Sequence, residues 1–239
     1  MMKGSPRAKA TAPLTPTEAG RAFHTEWIDF DRGIRVGNLE PEERITQILK
    51  SYLQARHAQP FICDRWGRGA FWQWICWVPR RNREAKPVSS NVNWSSAKFY
   101  ISIDKDDREF TVGMMVERGP AIGPERFKGC LLQPDWDWHR LWAQLRKGSA
   151  LDAEMKRLLH DDGFRAWIGG SNAAKTLDAH TYKSAGQLKR ALASAADRDW
   201  AGFQLYYPMP QAEVQACAGR NSSRPPARSS TNSRPRSTR

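Results

Sequence analysis

Hydrophobic and polar positions alternate most clearly near the middle of the chain. In residues 98–104 (KFYISID) and 109–117 (EFTVGMMVE), every second residue is apolar. Successive side chains of a strand point to opposite faces, so this pattern predicts two strands with one buried face each. The four charged residues between them include two Asp, which turns favour, and we therefore expect an antiparallel hairpin.

Further strands are predicted on both sides of this hairpin. Residues 71–78 (FWQWICWV) are apolar at nearly every position, which is typical of a central strand covered on two sides. A short break at Gly67-Arg68-Gly69 connects them to a strand at 61–66, and a late strand is predicted at 201–207, ended by prolines. The expected sheet is antiparallel and has about four to five strands, with its centre at 60–118 and one late strand at 201–207.

Helical periodicity flanks the strands. Helices are predicted after the caps Thr15, Ser149 and Ser184, over residues 41–57, and from Asp135 or Asp137 onward. Residues 29–38 read as a loop, and residues 164–168 are too short to assign. Because helices and strands are segregated along the chain rather than alternating, the predicted fold class is α+β.

The positive charge is concentrated at the ends of the chain. The formal net charge is +13, to which the six Arg of residues 219–239 and the three basic residues of 1–16 contribute nine, leaving +4 on residues 17–218. Such polar, basic ends bury too little apolar surface to fold. We therefore expect a disordered N-terminal segment at 1–14, a single α+β domain at 15–218, and a disordered Arg/Ser/Pro-rich tail at 219–239.

Several classes of protein are disfavoured by composition. The four cysteines show no C-x-x-C spacing, so neither a zinc knuckle nor a redox motif is predicted. No apolar run approaches the length that spans a bilayer, and the N-terminus lacks the apolar core of a secretory signal. We expect a cytoplasmic protein with no membrane partner and no cofactor.

A basic stretch rich in tryptophan suggests nucleic-acid binding as the first hypothesis. Aromatic rings stack on unpaired bases, while Arg and Lys contact phosphates. The predicted binding residues are Arg65, Trp66, Arg68, Arg80, Arg81, Arg83 and Lys86. The last four lie in a predicted polar loop, which we expect to contact the phosphates of DNA or RNA with the help of the Arg-rich tail. For the tryptophans of residues 72–77 the favoured interpretation is different: their strand has no polar face, so we expect them to pack in the core.

A second hypothesis is a magnesium-dependent nuclease. Asp64 followed by Glu84-Ala85-Lys86 is similar to the D…E-x-K spacing of restriction-type nucleases, in which carboxylates hold magnesium and Lys steadies the attacking water. In that family the E-x-K lies on an apolar strand, whereas here it lies in a polar connection. The same spacing recurs at Glu154-Met155-Lys156 on a predicted helix, so chance supplies it easily.

Two weaker interpretations complete the set. Residues 169–176 (GGSNAAKT) are similar to a phosphate-binding loop whose second glycine is replaced by Ala174, and a turn with an exposed Lys175 is expected instead. The third functional hypothesis is a subunit that meets another protein through an aromatic surface.

One resemblance to a known family rests on the order of the strands. Gly69, Trp72 and the Trp77-Val78-Pro79 run are followed by residues 99–103 (FYISI) and by a strand ending in Glu117-Arg118-Gly119. This order is similar to the amino-terminal DNA-binding domain of McrB-type restriction systems. The resemblance covers about a quarter of the chain, rests on hydrophobic pattern rather than on a specific motif, and implies DNA binding.

Overall fold

One antiparallel sheet of nine strands organises the molecule. The computed structural model describes residues 24–84, 96–122, 137–170, 174–195 and 197–222, excluding the side chains of residues 66, 68 and 218–222. The strands are β1 (Ile28–Asp29), β2 (Gly33–Arg35), β3 (Phe61–Arg68), β4 (Phe71–Pro79), β5 (Lys98–Asp104), β6 (Glu109–Arg118), β7 (Arg165–Gly170), β8 (Ala174–Leu177) and β9 (Ala201–Pro210). Their order is β1-β2-β4-β5-β6-β9-β7-β8, and β3 pairs with β4 from outside this path.

The α+β class is confirmed, but the predicted size of four to five strands is wrong. The additional strands are β1 and β2, inside the predicted loop, and β7 and β8, around the glycine-rich motif. The strands β1 and β2 have two and three residues, too few for alternation to predict a strand. In β7 the hydrophobic pattern of a strand is interrupted by Gly170. A side chain at this position would lie 2.5 Å from the carbonyl oxygen of Trp200, so close packing excludes the residues that usually form strands.

The late strand continues beyond its predicted end at residue 207, through Pro208, and ends at Pro210. Residues 201–206 of β9 pair with both β6 and β7. Pro208 and Pro210 pair with Thr111 and Glu109 of β6, beyond the end of β7. In the described chain this part of β9 is therefore paired on one side only, where a proline without an N–H is tolerated.

Six α-helices and one 3₁₀ turn (Thr25–Trp27) are described. The helices are α1 (Ile45–His57), α2 (Arg80–Glu84), α3 (Asp137–Gln144), α4 (Ala150–His160), α5 (Ala185–Ala193) and α6 (Gln211–Ser222). Helix α6 was not predicted, and it continues beyond residue 218, where the single domain was expected to end. Among the described residues no helix combines the length and the apolarity needed to cross a membrane.

The capping signals correctly located two of these helices. Ser149 Oγ accepts a hydrogen bond from the backbone N–H of Asp152 and begins α4 as expected. Helix α5 also begins after Ser184, but there the side chain of Gln187 caps by accepting from the N–H of Lys183. The predicted helix after Thr15 lies mostly outside the described residues, as do the segments 1–14 and 223–239.

The helices cover one face of the sheet in two separate groups. Phe110 of β6 packs in a cluster with residues of β2, β4, β5, α1 and α6, whereas Val116 packs with β7, β9, α3, α4 and α5. The two residues are six positions apart on one strand and therefore share a face. Val112 lies between them and is 41% exposed, which marks the boundary between the two groups.

The opposite face carries a third, smaller cluster of Cys76, Val78, Tyr100 and Met115. Beside it, Lys98 forms an ion pair with Glu117 although only 3% of the lysine side chain is exposed. Tyr100 donates a hydrogen bond to the side chain of Gln204 over 2.9 Å. The sequence pattern of β5 predicted this face to be the solvent side, and it is instead largely buried.

Candidate functional site

Three of the seven predicted binding residues, Arg65, Trp66 and Arg68, lie on the hairpin formed by β3 and β4. Phe61 pairs with Pro79 at its base and Arg68 pairs with Phe71 at its tip. The register shifts between Trp66 and Gly67, and Gly69 has a φ of +67°, a left-handed conformation that suits glycine in this turn. Because the described neighbours of β3 lie on one side only, the hairpin forms an edge of the sheet.

Two arginines at the tip half of the hairpin are stacked on aromatic rings. The guanidinium carbon of Arg65 lies 3.8 Å from the centroid of a Trp72 ring. That of Arg32, in the turn between β1 and β2, lies 3.8 Å from the centroid of the Phe71 ring. Both arginines are exposed and both rings are half-buried, so the rings fix the position of each cation at the surface.

These two cations are not neutralised by the described part of the chain. No described carboxylate forms an ion pair with Arg32 or Arg65. Of the acids close in sequence, Asp31 pairs with Arg108 at 2.8 Å, Asp29 accepts the backbone N–H groups of residues 31 and 32, and Asp64 accepts the backbone N–H of Arg65. A third arginine, Arg35, belongs to the same part of the sheet, because it pairs with Phe71 across β2 and β4.

The predicted binding residues that follow β4 form a short helix rather than a loop. Arg80, Arg81 and Arg83 lie on α2, where the first two are exposed and Arg83 is half-buried. The backbone N–H of Arg80 donates to the carbonyl of Pro60 over 2.9 Å, and Asn82 Nδ2 donates to Asp137 Oδ2 over 3.1 Å. Both bonds anchor α2 against the folded body. Lys86 lies outside the described residues.

The structure separates the two basic groups along one hairpin. Arg65 is paired with Ile75, and Arg80 follows that residue by five positions. At the strand rise of about 3.3 Å per residue, the two arginines are about 17 Å apart along the hairpin. The backbone of Trp66 and Arg68 lies in the tip half of the hairpin, near Arg65, but the structure does not describe their side chains.

The nuclease candidates are not brought together. Asp64 is paired with Cys76 midway along β4, and its Oδ1 accepts the N–H of Arg65 over 2.8 Å. Glu84 is exposed at the end of α2, beyond Pro79. Within the described ranges, no three His, Cys, Asp or Glu residues form a group that could hold a metal ion. The magnesium hypothesis therefore stays a prediction without a described metal site.

Two of the three described cysteines, Cys63 and Cys76, lack the ionisation that nucleophilic chemistry needs. Burial raises the pKa of the Cys63 thiol to about 11 and raises that of Cys76 further. At neutral pH both remain protonated thiols, which are poor nucleophiles.

Of the three tryptophans in residues 72–77, all of which were expected to pack in the core, Trp77 is fully buried. Trp77 is 1% exposed, and its Nε1 donates to the carbonyl of Thr46 over 3.1 Å. Trp72 and Trp74 are half-buried. The large apolar side chains that are exposed in the described chain, Tyr52, Val112 and Ile122, lie on different elements. The hypothesis of a subunit that meets another protein through an aromatic surface stays a prediction.

Sequence reasoning missed Arg32 and Arg35. Both lie in residues 29–38, which were interpreted as a loop, and their importance depends on the pairing of β2 with the start of β4. A local signal was present in the alternation of Gly33-Ile34-Arg35-Val36, but it is only four residues long. The described ends of the glycine-rich motif belong to the strands β7 and β8, where Gly169 pairs with Ala174, whereas a P-loop connects a strand to a helix.

Comparison with family models, with curated proteins and with solved structures gives no significant match for this chain. The similarity to McrB-type domains therefore gains no support, and the chain is not assigned to a family.

Proposed function

We propose that this protein binds nucleic acid through phosphate contacts made by the arginines of the β3–β4 hairpin and of α2. The observation that carries the proposal is the pair of exposed, ring-stacked guanidinium groups of Arg32 and Arg65, each 3.8 Å from its ring centroid. Neither is paired with a described carboxylate.

The chemistry of such a pair favours an anion with several oxygens. A guanidinium stacked face-on against a ring keeps its N–H groups in the guanidinium plane, directed away from the ring and available to phosphate oxygens. The ring also reduces the side-chain freedom that binding would otherwise remove. Both effects favour phosphate groups presented in a row, as a nucleic-acid backbone presents them.

The spacing of the two basic groups fits a polymer better than a single phosphate. One strand of a duplex advances about 3.4 Å per phosphate, so the ~17 Å between Arg65 and Arg80 corresponds to roughly five phosphates. Five arginines, at positions 32, 65, 80, 81 and 83, could contact such a strand. Each contact would contribute about −0.7 to −0.9 to the slope of log K against log salt.

The test is fluorescence anisotropy with labelled single- and double-stranded DNA over a series of salt concentrations. The double variant Arg32→Ala/Arg65→Ala should weaken binding and make the salt slope shallower by about 1.4–1.8. The matched control is Arg157→Ala/Arg198→Ala, which removes the same charge elsewhere. Arg157 is already paired with Glu154 and Asp162, so this control should leave the slope nearly unchanged. Absence of binding at low salt, or equal effects of the two double variants, would refute the proposal.

The nuclease alternative can be decided on the same samples. Addition of magnesium followed by gel electrophoresis would reveal cleavage, and Asp64→Ala should abolish it if Asp64 and Glu84 hold the ion. Cleavage that Asp64→Ala retains in full would eliminate these residues as ligands.

A further inference from the structure

A cleft of about 290 Å³ lies between α3, α5 and the end of β6. Its described lining combines aromatic and aliphatic walls with a polar rim. The walls include Trp138 and Trp142, whose ring planes are 25° apart with centroids separated by 6.4 Å, and Leu192 of α5. A volume just below the range of drug-sized ligand sites suits a single flat ring system.

The rim supplies hydrogen-bonding groups at the mouth of the cleft. His139 and Asp197 line the cleft and are exposed, so an imidazole and a carboxylate can meet the edge of a ring placed inside. Arg118 also lines it, but its guanidinium donates to the carbonyls of Gly119, Ala195 and Asp199, which makes it part of the wall. Donors and acceptors around a flat apolar slot are what the edge of a nucleobase requires.

Positive charge lies beside the rings of the cleft. Lys189 Nζ is 5.0 Å from the centroid of the Trp142 ring, and the guanidinium carbon of Arg118 is 5.8 Å from that of Trp138. Cations this close to a ring interact with its face. Because Asp197 also lines the cleft, a bound group meets charges of both signs at its mouth.

The cleft is physically joined to the basic helix α2. Asn82 of α2 donates to the carboxylate of Asp137, the first residue of α3, and the next two residues, Trp138 and His139, line the cleft. A strand whose phosphates contact Arg80 and Arg81 would therefore pass close to this slot.

We infer that the cleft receives an unpaired base of a single-stranded nucleic acid, an inference that rests on the function proposed above. The base lies against Trp142 while its backbone follows α2. The protein accordingly prefers single strands with bases over duplexes, because the bases of a duplex are paired and stacked on one another and cannot enter the cleft.

The experiment compares two labelled 15-nucleotide strands: oligothymidine, and an abasic strand with the same number of phosphates. The wild-type chain should prefer the base-bearing strand by roughly 5- to 150-fold, the range expected for loss of one base–aromatic stack. Trp142→Leu should lose this preference. Ala193→Trp should also lose it, because it fills the cleft from an exposed position of α5 without removing a core side chain.

The matched control is Trp167→Leu, at a half-buried tryptophan that pairs with Trp200 on the other face of the sheet. It should keep the preference. If the wild-type chain binds both strands equally, or if both cleft variants retain the preference, the cleft inference falls while the proposed function stands. If neither strand binds at low salt, both fall. Binding of free thymidine monophosphate without any preference between the strands would assign the cleft to a free nucleotide and overturn the inference.

Discussion

Replacing Asp152 by Asn should cost this protein a large part of its stability. The side chain is 1% exposed, and its two oxygens accept from four donors. Oδ1 accepts from the Tyr182 hydroxyl at 2.9 Å and the Ala185 N–H at 2.6 Å, and Oδ2 accepts from the Gly148 N–H at 2.8 Å. Lys156 Nζ lies 3.2 Å from Oδ2. One carboxylate therefore ties the start of α4 to the start of α5, which forms a wall of the cleft.

The size of the effect follows from this geometry. Whichever way the Asn amide is turned, its NH₂ group faces a backbone N–H that needs an acceptor. The variant loses at least one hydrogen bond to a charged group and leaves a buried donor unsatisfied, a cost of about 2–4 kcal/mol. Asp161→Asn is the control, because Asp161 is an exposed residue just after the same helix.

The same contacts predict how the effect depends on pH. Burial alone would raise the pKa of Asp152, but the hydrogen bonds from Gly148, Ala185 and Tyr182 outweigh it and hold the pKa at about 2. The unfolded value is about 3.9, so the carboxylate contributes about 2.5 kcal/mol that is complete above pH ~5 and is lost as the pH falls toward 2. Because Asn does not titrate there, the stability gap between wild type and variant should shrink by about 1.2 kcal/mol between pH 7 and pH 3.

Urea unfolding followed by far-ultraviolet circular dichroism at pH 7 and pH 3 measures both quantities. A stability difference between wild type and variant below 1 kcal/mol at pH 7, or one that does not narrow at pH 3, would show that Asp152 does not stabilise the fold in this way.

Two further substitutions test the packing of the sheet. Trp77→Phe should destabilise the fold by about 1–3 kcal/mol, because it opens a void and leaves the Thr46 carbonyl without its indole donor. Trp72→Phe should cost less than 1 kcal/mol. Thermal unfolding compares the two variants, and equal losses of stability would contradict the assignment of Trp77 to the core. Gly113→Ala should cost about 2–4 kcal/mol, because the new methyl would lie 2.3 Å from the Leu205 carbonyl oxygen and push β6 from β9. In its control, Gly186→Ala in α5, the new methyl meets no atom closer than 3.6 Å, so this variant should be neutral or stabilising. If both variants lose the same stability, the spacing between β6 and β9 is not the cause of the loss at Gly113.

The central meander could be read from the sequence because its signals are local. Alternation over seven or more residues located β5 and β6, and the Ser149 cap located α4. The short strands could not be read in this way. The strand β8 has four residues and is stable only because β7 supplies its partners and β9 holds β7 in the sheet.

Burial of charge was also beyond local reasoning. Lys98 alternates with apolar residues and was assigned to the solvent face, but it is buried because Glu117, 19 positions later, comes to lie beside it. The candidate site shows the same limit. Arg65 was proposed from its aromatic surroundings, whereas the contact of Arg32 with the Phe71 ring depends on the pairing of β2 with β4. Contacts between distant segments are set by topology, which no local pattern encodes.

Chemical footprinting of arginines tests the proposed interface most directly. The full chain is treated with an arginine-specific dicarbonyl reagent with and without single-stranded DNA at low salt, and each modified arginine is quantified by mass spectrometry. The account predicts that DNA protects Arg32 and Arg65 strongly and Arg80 and Arg81 as well, while Arg198 reacts equally in both samples. Unchanged reactivity of Arg32 and Arg65 under conditions where DNA is bound would contradict it.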